Sequence, residues 1–199
     1  MNRLLGAFSL ALLGLSPCVH SQVIAFESNG LKYQTLTRSG VTIMYAHLSP
    51  RIHQYSILQA AISNGSAGPY VVRPEDFVYV RDTSEVRAVS AKTVIQMLID
   101  KGSGSDVAKL VTAYENWISG IPNYRATNSF EFRRQSALGM GSSKRRSAAA
   151  ASAIALVQTK LAPGESVDGA VFFPSEGKAL VGGRLVVRTN TDVFQFNAE

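Results

Sequence analysis

The segment Gln54–Ile62 carries side chains to be buried on both of its faces. In an extended chain successive side chains alternate, so Tyr55, Ile57, Gln59 and Ala61 line one face and Ser56, Leu58, Ala60 and Ile62 the other. A strand of this kind lies between two covered faces. The rest of the chain therefore has to supply cover on each side of it.

Other segments of the first half read as strands. Leu31–Thr37 and Val41–Leu48 are rich in β-favouring residues and are separated by Arg38-Ser-Gly40, a hairpin spacing. Gln22–Gly30 reads as a loop leading into them. Asn64-Gly65 is a strong turn signal, and Phe77–Arg81 is the next strand. Near the other end, Pro163-Gly164 turns the chain into a strand whose Val167, Ala170, Val171 and Phe173 need burial. Gly183–Arg188 and Asp192–Phe196 form the closing pair.

Between these β segments the period changes. Ser90 caps a short helix over Ala91–Lys101, which Gly102-Ser-Gly104 stops. Ser105-Asp106 then caps a second helix in which Val107, Leu110, Val111, Tyr114, Trp117 and Ile118 recur at spacings of three and four, an amphipathic stripe. Leu110, Tyr114 and Trp117 are the side chains that dock this helix, and Gly120-Ile-Pro122 ends it. Asn128 with Glu131 starts a third helical section, interrupted at Gly139-Met-Gly141. Ser147–Lys160 is alanine-rich, with Ile154 and Val157 available for packing.

The N-terminus has the layout of a secretory signal peptide: basic Met1-Asn-Arg3, the uncharged apolar run Leu4–Leu15, then Ser16–Ser21 with small residues near a cleavage point. The run is shorter than the ~20 residues that span a bilayer. Cleavage is placed after Ser21. Leu15-Ser-Pro-Cys18 also resembles a bacterial lipobox that would lipidate Cys18, but Pro17 stands where Gly or Ala is usual. If Cys18 leaves with the signal, no cysteine remains, which excludes disulfides, thiol nucleophiles and thiolate metal ligands. Loss of Arg3 reduces the net charge of +6 by one, an excess that bears on solubility and anionic partners.

Asn64-Gly65 followed by Arg73-Pro-Glu-Asp-Phe77, then Leu161-Ala-Pro-Gly-Glu-Ser-Val-Asp-Gly-Ala-Val-Phe-Phe173 and Phe194-Gln-Phe196, resemble the telokin-like, immunoglobulin-like domains of unknown function in exported bacterial proteins. The resemblance covers about half of the mature chain and implies a sandwich without a known catalytic set. The chain departs from that pattern in the long helical section between Arg87 and Leu161. The expected fold is thus an antiparallel immunoglobulin-like β-sandwich with a helical insertion, α+β overall. Residues 1–21 form the signal, 22–89 the first part of the sandwich, 90–160 the insertion, and 161–199 the strands that complete it.

Candidate chemistry is sparse. His47 and His53 are the histidines outside the signal, and no acid lies between Glu27 and Glu75 to complete a metal set locally. There is no Gly-x-Ser-x-Gly, Walker loop, His-Glu-x-x-His or EF-hand loop. Ser175-Glu-Gly-Lys178 has the Ser-x-x-Lys spacing, but that pair needs a helix, and Pro174 and Gly177 make it a turn. Asp76, Asp82 and Glu85 cluster after a strand without the alternating spacing of a calcium loop. No catalytic, metal or cofactor residues are assigned. The alternative is a hydrolase-type or metal-dependent enzyme whose site gathers His47, His53, Asp76 and Glu85.

The charge feature above background is Arg133-Arg134 with Lys144-Arg145-Arg146, without an acid between Glu131 and Glu165. Such a face suits an acidic envelope protein or an anionic membrane surface. Export argues against nucleic acid, and Phe130 and Phe132 are too few for a stacking platform. The residues thus point to an exported, non-catalytic binding protein. Intact-mass measurement of protein from its native host should give a chain beginning at Gln22; a mass retaining Cys18 with acyl chains would replace this reading by a lipid-anchored form.

Overall fold

The computed structural model describes residues 22–122, 135–136 and 139–198. A five-stranded antiparallel sheet runs in the order β1 (Ile24–Ser28), β2 (Leu31–Arg38), β3 (Val41–Ile52), β4 (Tyr55–Asn64), β9 (Ser166–Pro174). A four-stranded sheet runs in the order β11 (Val193–Gln195), β10 (Arg184–Arg188), β6 (Phe77–Arg81), β7 (Ser84–Arg87). β5 (Tyr70–Val72) pairs with β8 (Thr159–Leu161). The helices α1 (Ala91–Lys101), α2 (Gly104–Ser119) and α3 (Ser143–Ile154) follow β7 in the chain. The fold is β-rich α+β.

The two faces of β4 belong to two different cores. Tyr55 and Ile57 join Leu48, Ile52 and Phe172 against Val94, Leu98, Leu110, Trp117 and Ile154 of the helices. Leu58, Ala60 and Ile62 join Ile43, Tyr45, Val171 and Phe173 against Phe77, Leu185, Val187 and Phe194 of the smaller sheet. The larger sheet is therefore a middle layer between helices and a second sheet, the two-sided cover that its alternating side chains require. Register follows from the same alternation: Ile57 lies opposite Phe172 and Leu48, and Leu58 opposite Val171. A slip of one residue would exchange the two cores.

Leu110, Tyr114 and Trp117 are all fully buried, so the amphipathic stripe docks as its spacing predicts. Tyr33 on β2 donates a hydrogen bond from its hydroxyl to the Trp117 carbonyl at 3.1 Å, which ties the end of α2 to the sheet. Gly120 must be glycine there because a Cβ would stand 2.2 Å from the Tyr33 hydroxyl. The alanines of α3 let it approach its neighbours: Ala148, Ala150, Ala151 and Ala153 are buried, and a Cβ at Gly102 would meet the Ser147 hydroxyl at 1.9 Å.

Several boundaries differ from the sequence reading. Gln22–Gly30 is not a loop, since Ile24–Ser28 pairs with β2 through a two-residue turn in which Asn29 and Gly30 both have positive φ (50° and 71°). The cap of α2 is Ser103 rather than Ser105-Asp106: the Ser103 amide donates to the Asp106 carboxylate at 2.8 Å and the Asp106 amide to the Ser103 hydroxyl at 3.4 Å, a reciprocal box. The alanine-rich helix starts at Ser143 and stops at Ile154, well before Lys160. It stops because Leu156 leaves the helical layer, bonds its amide to the Ala170 carbonyl at 2.9 Å and buries its side chain between the sheets. Val157 is consequently exposed and Lys160 lies in β8. The start of the third helical section, Asn128 with Glu131, lies outside the described residues, and Gln135 and Ser136 within that section are helical.

Trp117→Ala should cost about 3–5 kcal/mol, the usual range for deleting a fully buried aromatic. Thermal or denaturant unfolding measures it, and an unchanged midpoint would show that the helices do not stabilise the sheet.

Candidate functional site

Of the predicted basic set, Lys144, Arg145 and Arg146 occupy the first turn of α3, and Arg133 and Arg134 lie outside the described residues. Lys144 and Arg145 are exposed, while Arg146 is half-buried and its buried Nε finds no hydrogen-bond partner among the described residues. The first turn holds no acid, and the Ser142 side chain makes no capping bond. Cations at the positive end of a helix dipole typically cost 0.3–1 kcal/mol each at exposed sites. The local sequence thus works against the helix while presenting positive charge at a terminus that already favours anions.

The residues of the alternative, enzymatic reading are each held by different partners. His47 lies on β3 with its ring edge-on to Tyr45 (5.7 Å between ring centres) and Tyr79 (6.0 Å). His53 sits at the β3–β4 turn with φ 51°, and its Nε2 is 3.2 Å from the Asp106 carboxylate. Asp76 closes the short helical turn Pro74–Asp76 by accepting the Arg73 amide at 2.8 Å. Burial pushes the Asp76 carboxyl above its ordinary value, against the hydrogen bond and charge of Arg73. Glu85 on β7 accepts two hydrogen bonds from the Arg188 guanidinium, at 2.5 and 2.9 Å, which hold its carboxyl below its ordinary value. The hydrogen bonds described for His53, Asp76 and Glu85 run to Asp106, Arg73 and Arg188 in turn. The described residues contain no group of three or more His, Cys, Asp or Glu placed to hold a metal.

Two recesses flank the Ala179–Val181 segment. One, of about 260 Å³, is lined by His47, Leu48, Ser49, Arg51, Ser56 and Leu180 among others. Its neighbour, of about 120 Å³, is lined by Tyr79, Arg81, Ser84, Val86, Ser175 and Lys178 among others. Sites for drug-sized ligands usually span about 300–1,000 Å³. Ser175 and Lys178 form the expected turn, with the Lys178 amide on the Ser175 carbonyl at 2.8 Å and positive φ at Glu176 and Gly177. Ser56 holds this turn in place, its hydroxyl 2.8 Å from both the Ser175 hydroxyl and the Lys178 carbonyl.

A polar cluster inside the helix-side core escaped the sequence reading. Asp168 on β9 and Gln59 on β4 are almost wholly buried. The Tyr114 hydroxyl donates to the Asp168 carboxylate at 2.6 Å, and the Gln59 amide donates to the same oxygen at 3.4 Å. The signal was present as Gln59 on an otherwise apolar face, but nothing local names Asp168 and Tyr114 as its partners.

Compared with known family models, curated proteins and solved structures, the chain matches none. Among the described residues no helix is long and apolar enough to cross a membrane.

The Asp106 carboxylate links the β3–β4 turn to the start of α2. Burial pushes its pKa up, but the hydrogen bonds from Ser103 and the charge and hydrogen bond of His53 prevail and hold it below its ordinary 3.8. Its stabilisation is therefore present above pH 3.8, the unfolded value, and is lost as pH falls through the lower folded value. Asp106→Asn should lower the denaturant midpoint near neutral pH and flatten its loss at acid pH. Parallel midpoint curves for the two proteins would show that this carboxylate contributes nothing to acid sensitivity.

Proposed function

We propose that the protein is an exported, non-catalytic binding module: an immunoglobulin-like β-sandwich, similar to the telokin-like domains, whose helical layer docks on an anionic envelope partner. The partner is an acidic protein surface or an anionic membrane face. The observation that carries this reading is the run Lys144-Arg145 in the first turn of α3, exposed and without an ion pair among the described residues. A helix that places cations at its positive end gives up stability, and an anionic partner recovers it.

Reversing Arg133, Arg134, Lys144 and Arg145 to Glu tests the proposal. The variant should fold normally, because the exposed charges of Lys144 and Arg145 contribute little to stability and acids at positions 144 and 145 suit the helix dipole. Wild type should co-sediment with phosphatidylglycerol vesicles, or bind immobilised poly-glutamate, at low salt and be released at high salt, where charges beyond the Debye length of about 8–10 Å are screened. The variant should lose that association. Equal binding by both proteins would sink the docking role of this segment.

A further inference from the structure

The two larger sheets end in four edges, and three of these are protected. Along β9, the Val89 amide bonds the Phe172 carbonyl and the Leu156 amide the Ala170 carbonyl, both at 2.9 Å. β7 carries Glu85 and Arg87 within four residues, and β11 has only three residues. Short or charged strands and covered edges are the usual devices against pairing with another chain. The remaining edge, β1, carries a single charge, Glu27. Its five residues contain no Pro and no Lys, the register with β2 is continuous, and nothing among the described residues pairs with its outer side.

The outward backbone groups of β1 follow from its turn. A two-residue hairpin makes Ser28–Leu31 a hydrogen-bonded pair, and alternation assigns the same pairing to Phe26–Tyr33 and Ile24–Thr35. Ala25 and Glu27 therefore direct their N–H and C=O groups away from the sheet. Beside this row stand Ile24, 61% exposed, and Phe26, 39% exposed, the latter stacked on Tyr33 with ring centres 4.9 Å apart.

We infer that β1 is a dimerisation edge, pairing antiparallel with β1 of a second copy of this chain about a two-fold axis at Phe26. In that register Ala25 of each copy meets Glu27 of the other, and the four outward groups of each strand are satisfied by one another. The two Phe26 rings face each other as a non-hydrogen-bonded pair, the closer kind. Charge supports the same register: Glu27 lies opposite an alanine rather than a second Glu27, and its own cross-strand neighbour is Lys32. The exposed apolar side chains of β1 are thereby covered, and the two five-stranded sheets become one continuous sheet.

Analytical ultracentrifugation of the purified protein carrying Cys18→Ser should show a concentration-dependent dimer. Ala25→Pro removes an outward N–H without breaking a bond to β2, so this variant should sediment as a monomer with unchanged circular dichroism and melting temperature. Independently, Phe26→Cys in the Cys18→Ser background should oxidise to a disulfide-linked dimer, since directly opposed non-hydrogen-bonded residues lie about 4.5 Å apart between Cα atoms. Glu27→Cys should cross-link poorly, because its thiols lie on a diagonal of about 7–8 Å. A wild-type chain that is monomeric at every concentration, a dimer that survives Ala25→Pro, or equal cross-linking from positions 26 and 27 would each overturn the inference.

Discussion

The constraint on which this molecule depends is that β4 cannot be solvated on either face. Ile57 and Leu58 are neighbours in the chain, both fully buried, and they belong to separate cores. Once that strand is placed in the middle of a sheet, one face calls for the helices and the other for the smaller sheet. The helices lie between β7 and β8 in the chain, so the chain leaves the β layers, covers the outer face of the large sheet, and returns. Leu156 marks the return: it follows the last turn of α3 closely and is buried in the core between the sheets.

The connections at one corner of the large sheet are tied together at Asn64, which is completely buried. Its side-chain amide donates to the carbonyls of Gly68 at 2.8 Å and Leu161 at 3.1 Å, and its side-chain oxygen accepts from the Ser66 amide at 3.1 Å and the Ser66 hydroxyl at 2.6 Å. Its backbone binds Glu165 and Gly164 across the β8–β9 turn, and the Gly65 amide reaches the Gly40 carbonyl. A buried polar side chain is tolerated when each of its groups is satisfied, and here the partners come from the β4–β5 connection and from the end of β8.

What was legible in the chain was whatever depends on local period. The two faces of β4, the stripe of α2 and the cap of α1 by Ser90 all reflect spacing alone, and the structure follows them. The misreadings came where a tertiary partner decides the outcome. Asn29-Gly30 and Asn64-Gly65 are the same dipeptide, yet the first is the hairpin turn that makes β1 a strand and the second is a buried junction. Ser103 and Asp106 cap one another, which moves the start of α2 two residues ahead of the expected position. The alanine-rich run ends at Ile154 because Leu156 is drawn into the other core, a demand that helix propensity does not register. For the candidate site, Lys144–Arg146 stand out as a charge run, but only the structure places them at the positive end of a helix. Asp168 and Tyr114 were invisible as a pair because they meet across distant segments.

If β4 is the strand that both outer layers cover, its amides should be the last to exchange. Native-state hydrogen exchange followed through added denaturant reads this directly, since each amide reports the free energy of the opening that exposes it. The account predicts that the amides of Ile57–Ile62 exchange only at the free energy of global unfolding, with those of the helices and of the smaller sheet at or below it. Exchange of Ile57–Ile62 through a cheaper opening, while either outer layer remains protected, would contradict the central place given to this strand.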